Sequence, residues 1–367
     1  MSSKEQIIEV ESLPVDIQTG ATYAIKQANP NSYTHGMFKY PCKFIPEIPR
    51  WGIKTYLSEK RGVIFDPFSG SGTTLLEANV NGLDAYGTEI DDIAKLIIKV
   101  KTTVLDSAQM KLLDQCYSEI INIIGQDDVK LFTPAIVNLE HWFSENTINE
   151  LGRIKAYIDN IEDEDVRDFF KLCMASIIKK VSNADDTSPK PYVSNKIIKV
   201  PPTVEKEFTS VFRRYKQMMQ ELTHVKKMGN TVIIQGDALE FSVPLGIDLA
   251  ITSPPYINAF DYGRTMRLEN LWLDTLTEEM LRKKKNQYVG TEKINTKEEK
   301  SELGILGKSD LLKVYYNQIA EKDEKRALIV KKFFEDMEDN LRCVYSQMNI
   351  CGKYVIVIGN STIRKVN

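Results

Sequence analysis

A chain of 367 residues, 42% hydrophobic and 27% charged, has the make-up of a soluble globular protein with room for two domains, or for one domain and a large insertion. A formal net charge of −3 excludes a uniformly basic surface, so any nucleic-acid contact must come from local clusters of Lys and Arg. Five scattered cysteines without a CxxC pair, and three histidines, argue against a zinc centre or a disulfide framework. The acidic start "MSSKEQIIEVESLPVDIQ" is not a signal peptide, and no apolar run approaches the roughly 18 residues of a membrane span, which points to the cytoplasm.

The first ~30 residues read as irregular. "YPCKFIPEIPRWGIKTYLS" then leads from a turn into a helix, with apolar residues at helical spacing from Ile45 onward. "GVIFDPF" holds a short buried strand, and "GSGTTLLEANVNG" is a Gly-rich turn that opens a helix ending near Gly82. "DAYGTEI" is a second strand, and "DDIAKLIIKVKTTVL" a second helix capped by Asp91 or Asp92. This β-α-β-α start with short connections predicts a doubly wound parallel sheet of Rossmann-like α/β type.

Residues 105–230 change character. Four stretches, from "AQMKLLDQCYSEIINII" to "VEKEFTSVFRRYKQMMQELTHV", have helical periodicity with no strand between them. They predict a mostly helical insertion with one polar, Pro-containing loop, "SNADDTSPKPYVSN". The division is therefore 1–104 for an N-terminal arm and the first half of the sheet domain, 105–230 for the insertion, and 231–367 for the second half. In that last part "TVIIQGDAL", "IDLAITSPPY" and "YVIVIG" supply strands, with helices over 264–283 and 309–347.

The turn "DPFSGSGTT" lies between a strand and a helix. Gly70 and Gly72 allow a sharp turn and close approach to a ligand, and the helix start offers free N–H groups. Glu89 ends the next strand, about twenty residues on, where an acidic side chain can accept from both hydroxyls of a ribose. The turn lacks the Lys of a phosphate loop, and Asp66 at the strand end disfavours a pyrophosphate. A ligand carrying positive charge, such as S-adenosylmethionine, fits that sign. The alternative is an ordinary strand-to-helix turn.

"TSPPY" (252–256) runs an apolar strand into a rigid corner, because two consecutive prolines permit neither a helix nor a central strand.

Taken together these residues resemble the amino-group DNA methyltransferases, which methylate N4 of cytosine or N6 of adenine. "DPFSGSGT" is similar to their cofactor motif I, "GTEID" to motif II, "QGDAL" to motif III, "TSPPY" to the catalytic motif IV, and "YPCKFIPEIP" to motif X. The motif order is X, I, II, III, IV, with the insertion between II and III. The resemblance implies S-adenosylmethionine as cofactor. It implies that Lys43 and Phe44 wall the cofactor, that Asp66, Phe68, Ser69, Gly70, Gly72 and Thr73 hold its methionine part, and that Glu89 binds its ribose. Asp237, with Ala238, would approach its adenine. Ser253, Pro254, Pro255 and Tyr256 would form the catalytic corner. Ser before the prolines leans the target towards N4 of cytosine, in double-stranded DNA and within a restriction–modification system. N6 of adenine, an RNA base, or a non-catalytic DNA-binding subunit are the alternatives.

Asp261, Tyr262, Arg264 and Arg267, just after motif IV, are expected near the target base. Arg213 and Arg214 belong to a basic cluster expected to touch phosphates, with Ser182 to Asn195 taking part in target recognition. Charge reversal of Arg213 and Arg214 then weakens DNA binding and flattens its dependence on salt; unchanged binding in a salt titration would refute this contact. Cys42 in "YPC" precedes the cofactor turn and lacks a following Gln, which argues against a nucleophile. His35, His141 and His224 stand alone and read as structural or solvated. The family's sheet carries seven strands, whereas five are visible here. "YVIVIG" would then be an open apolar edge, so a second polypeptide or a further C-terminal segment is expected to complete the sheet.

Overall fold

The computed structural model describes residues 7–26, 29–57, 61–126, 131–196, 198–257, 262–301 and 303–366. Where the sequence predicts an irregular start, Ile7–Val10 (β1) and Thr22–Ile25 (β2) pair as a small parallel sheet. Two four-residue strands carry too little periodicity to stand out from a polar background. Their connection is anchored by Trp51 Nε1, which donates to the Pro14 carbonyl at 2.8 Å.

The main domain begins with α1 (Glu47–Tyr56), β3 (Ile64–Asp66), α2 (Thr73–Val80), β4 (Ala85–Gly87) and α3 (Asp92–Thr102). Asp91 caps α3, accepting from Ala94 N at 3.0 Å. Five helices follow: α4 (Ser107–Ile124), α5 (Leu139–Trp142), α6 (Glu145–Ile158), α7 (Glu164–Val181) and α8 (Val204–Thr223). Asp106, Ser144, Asp163 and Thr203 cap the four longer ones. They share one core with α3 and with the segment after "TSPPY". Ile97, Phe170, Phe212, Leu271 and Trp272 all belong to it, so the insertion is packed against the sheet domain.

β5 (Thr231–Ile233) and β6 (Ile247–Thr252) return to the sheet. The helix expected over 264–283 is three: α9 (Tyr262–Thr265), α10 (Arg267–Trp272) and α11 (Glu278–Lys284). After α12 (Thr296–Ser301), the helix expected over 309–347 is two: α13 (Asp310–Ala320) and α14 (Glu324–Ser346). The break comes at Asp323, whose carboxylate accepts from Arg326 N at 3.1 Å and starts a new helix. β7 (Met348–Ile356) closes the described sheet and starts several residues before "YVIVIG".

The large sheet has the order β5-β4-β3-β6-β7, every pair parallel. Ile64, Leu249 and Ile251 face α1 and α2 through Ile53, Leu75 and Ala78. Phe65, Ile247 and Ala250 face the other way, against Phe241 and Val344 of α14. Both faces are thus covered, as a parallel sheet requires. β7 is an outer strand with much of its length exposed; Ile350 is 98% exposed. Among the described residues no helix is long and apolar enough to cross a membrane.

The strand order reverses direction between β3 and β6. In an open α/β sheet the crevice beyond the carboxyl ends at such a switch point is where ligands bind. The turn after β3 is "DPFSGSG" and the turn after β6 is "TSPPY".

Candidate active site

The two turns are joined at their base. Asp66, fully buried at the end of β3, accepts from Thr252 Oγ1 at 2.6 Å and from Phe68 N at 3.0 Å. Thr74 Oγ1 adds a bond from α2 to the Ile251 carbonyl at 3.2 Å. Burial pushes the Asp66 carboxyl up to about 6, against the hydrogen bonds that favour its charged form. The turn itself is braced from β4: Thr88 Oγ1 donates to the Pro67 carbonyl at 2.6 Å, and Ser69 Oγ to the Asp66 carbonyl at 2.8 Å. Gly72 has φ +74, and a β-carbon there would stand 2.9 Å from Ile98 Cγ1, so glycine lets α2 start this close to α3.

Above this base lies a cleft. Phe68, Ser69, Gly70 and Thr73 line it from the glycine turn, Glu89 from the end of β4, and Lys43 and Phe44 from the arm before α1. Asp237 and Ala238 close one side, and Ser253 and Pro255 reach it from the corner after β6. Four candidates do not line it. Asp66 lies beneath it, Gly72 packs on α3, Pro254 is buried, and Tyr256 is half-buried.

Glu89 is held by three backbone donors. Its Oε2 accepts from Gly70 N at 2.8 Å, and its Oε1 from Ile90 N and Asp91 N, both at 2.8 Å. Burial, and then the neighbouring Asp91 charge, push it up to about 7 in spite of these three donors. Lys43 spends its ammonium on the His35 carbonyl at 2.7 Å, and burial lowers its pKa. Asp237 accepts from Leu239 N at 2.8 Å and Glu240 N at 3.1 Å, which fixes the loop that carries Ala238.

Several lining residues lie outside the expected set. Tyr40 lies over the glycine turn, where a β-carbon on Gly70 would stand 3.4 Å from its Cε1. Gln287, Tyr288 and Val289 form another wall. They follow α11, which Lys284 ties to Asp92 at 2.7 Å, while Tyr288 Oη bonds to Asp91 at 3.2 Å. The only signal for this strap in sequence is an apolar Tyr-Val-Gly within a charged tract.

The residues expected at the target base are dispersed. Asp261 lies outside the described residues, and Tyr262 opens α9. Arg264 is exposed on that helix. Arg267 is engaged within the protein: it is paired with Glu278 and lies over the Trp142 ring, 5.6 Å from its centroid. Arg213 and Arg214 are exposed on α8, Arg214 over the Tyr215 ring. The loop after α7 is stapled by Lys199 Nζ, which donates to the carbonyls of Lys179 and Ala184 and to Asp186. His35 is buried against Glu77, His141 packs edge-on to Trp142, and Cys42 borders the cleft with φ +58.

Residues 2–99 match the model of a DNA methylase family. The chain is 27% identical over 362 residues to the Type II methyltransferase M.MvaI of Kocuria varians, covering 92% of this chain and 79% of that protein. It is 27% identical over 276 residues to the Type II methyltransferase M.BsoBI of Geobacillus stearothermophilus, covering 67% of this chain and 54% of that protein. A third relative, the Type II methyltransferase M.MjaII of Methanocaldococcus jannaschii, is 33% identical over 100 residues, 26% of this chain and 19% of its own. No solved structure gives a significant match.

Proposed function

We propose that the chain is an amino-group DNA methyltransferase and that it methylates N4 of cytosine in double-stranded DNA as the modification enzyme of a restriction–modification system. The observation that carries the reading is the Thr252–Asp66 hydrogen bond, which locks the corner after β6 to the turn after β3 across the switch point. A cleft for a nucleoside-bearing cofactor and a rigid acceptor corner thereby open on the same space.

The residues present fit S-adenosylmethionine. Glu89 offers a carboxylate whose three N–H partners leave lone pairs for ribose hydroxyls, and Tyr40, Phe44 and Phe68 give apolar walls. When bound, that cofactor supplies a methyl group on a positively charged sulfur. Phe68, Ser69 and Gly70 would hold its amino-acid end and Asp237 its adenine. An exocyclic amine is a poor nucleophile because its lone pair is delocalised into the ring. Ser253 Oγ and the Pro254 carbonyl would accept its N–H groups and turn the lone pair towards the methyl group. Pro254 and Pro255 keep those acceptors aimed without reorganisation, and Tyr256 offers a ring face to an extruded base. Ser253, in place of an acidic or amide residue, supports cytosine over adenine. The reading places the enzyme with DNA in the cytoplasm.

Incubation with methyl-labelled cofactor and unmethylated DNA or RNA, followed by mass spectrometry of the nucleosides, tests the proposal. N4-methylcytosine from DNA supports it; N6-methyladenine, a labelled RNA base, or no transfer would each replace it with a different reading.

Cofactor affinity should also depend on pH. Ribose hydroxyls donate to the charged carboxylate, so binding draws Glu89 below its free value of about 7 and releases a proton. The dissociation constant should therefore fall as pH rises through 7, by about tenfold between pH 6 and pH 8. Calorimetry across that range checks it. Glu89→Gln should bind weakly and lose this protein-borne part of the slope; a slope that survives in the variant would assign the titration elsewhere.

A further inference from the structure

The corner after β6 has a neighbour that no motif marks. From Leu249 onward β6 and β7 pair in regular register, with Thr252 opposite Ile356, and Val357 N donates to the Thr252 carbonyl at 2.8 Å. The chain leaving β7 therefore runs beside the chain that carries the prolines. At Gly359 it meets Tyr256. A β-carbon on Gly359 would stand 3.2 Å from Tyr256 Cε1, 3.3 Å from Oη and 3.7 Å from Cζ. Gly359 is exposed and its φ lies outside the left-handed region, so backbone conformation gives no reason for glycine here. Contact with the ring does.

We infer that Gly359 is a positioning residue for the target base, acting through Tyr256. Its bare backbone leaves the phenol end of the ring in place, and so keeps the ring face open to a stacking base. The inference rests on the reading of Tyr256 as the stacking residue. An alanine methyl would have to displace the ring by a few tenths of an ångström, because contacts near 3.2 Å are tighter than normal packing allows. Valine adds two further carbons and should force a different ring position. The loss should therefore be graded, with a ceiling near the full worth of one stacked base, about a hundredfold.

The test uses Gly359→Ala and Gly359→Val in the full chain, each with and without Tyr256→Ala. DNA kcat and KM are measured, together with the cofactor dissociation constant by calorimetry. The expected kcat/KM for DNA falls about threefold with alanine and about tenfold or more with valine, with cofactor affinity unchanged. In the Tyr256→Ala background the same changes should cost less than about twofold, because the ring they displace is gone. Equal losses in both backgrounds, or no loss with valine, would overturn the inference while leaving the methyltransferase reading intact. A wild-type chain that binds cofactor and methylates no DNA would overturn that reading and the inference with it. The exposed setting of Gly359 makes the alanine variant the safeguard should valine disturb the end of β7.

Discussion

Ser253→Ala is expected to slow methyl transfer in a single turnover by about 10²-fold to 10³-fold, with cofactor affinity changed by less than about threefold. The expectation follows from how firmly the residue before it is held. Thr252 ends β6, donates its hydroxyl to Asp66 at 2.6 Å, and accepts from Val357 N at 2.8 Å. Ser253 therefore leaves a backbone fixed on both flanks and meets Pro254, whose ring removes one more torsional freedom. Its hydroxyl is half-buried at the edge of the cleft. An amine N–H directed at that point finds an acceptor already in place. With alanine it finds a methyl group, in a site where the bound base excludes water. The ground state suffers less than the transition state, because the acceptor matters most as the amine nitrogen becomes positive. Rapid-quench measurements at saturating DNA and cofactor separate these effects. A rate within about fivefold of wild type would leave the acceptor role to the Pro254 carbonyl alone. Ser253→Thr, which keeps the hydroxyl, should recover much of the loss.

What could be read in the sequence was what is contiguous. Gly70, Gly72 and the two prolines of the corner advertise unusual backbone within a few residues, and the apolar runs before them fix two strands of the sheet. The five-stranded count follows from the same short runs. Contacts between distant segments could not be read. The resemblance implies that Asp66 holds the methionine part of the cofactor, but no local pattern shows its partner Thr252, 186 residues away. The same holds for Arg267, expected near the target base, whose contacts with Glu278 and the Trp142 ring link distant segments. Tyr288 and Val289 reach the cleft only because Lys284 and Tyr288 are tied to the start of α3. The β1–β2 pair and the helix break at Asp323 turn on four-residue segments and a single cap, below what periodicity can resolve.

The largest effect on stability is expected at a residue with no part in chemistry. Glu77, on the buried face of α2, is 1% exposed and accepts from His35 Nε2 at 2.7 Å and from Arg50 Nε and Nη2, each at 2.8 Å. Burial is the main cause that lowers His35 to about 4, so near neutral pH the imidazole is uncharged and Arg50 is the balancing cation. This cluster fastens the arm that walls the cleft. The His35 carbonyl holds Lys43, Thr34 Oγ1 donates to the Lys101 carbonyl at 2.7 Å, and Lys101 Nζ donates to the carbonyl of Ser71 in the glycine turn at 2.6 Å. Glu77→Ala removes the acceptor of both His35 and Arg50 at once and leaves a cavity between α1 and α2. The cost should be about 3 kcal/mol, at the lower end for a broken buried pair, because the Arg50 side chain is 35% exposed and can turn to water. Glu77→Gln keeps an acceptor of the same shape and should cost about half as much. Urea unfolding gives both values, and a loss below about 1 kcal/mol for the alanine variant would show the cluster to be dispensable. In the folded variant the cofactor should also bind more weakly, since Lys43 and Phe44 then stand on an arm that has lost its anchor to α2. If stability falls and cofactor affinity does not, the glycine turn and Glu89 hold the cofactor without help from the arm.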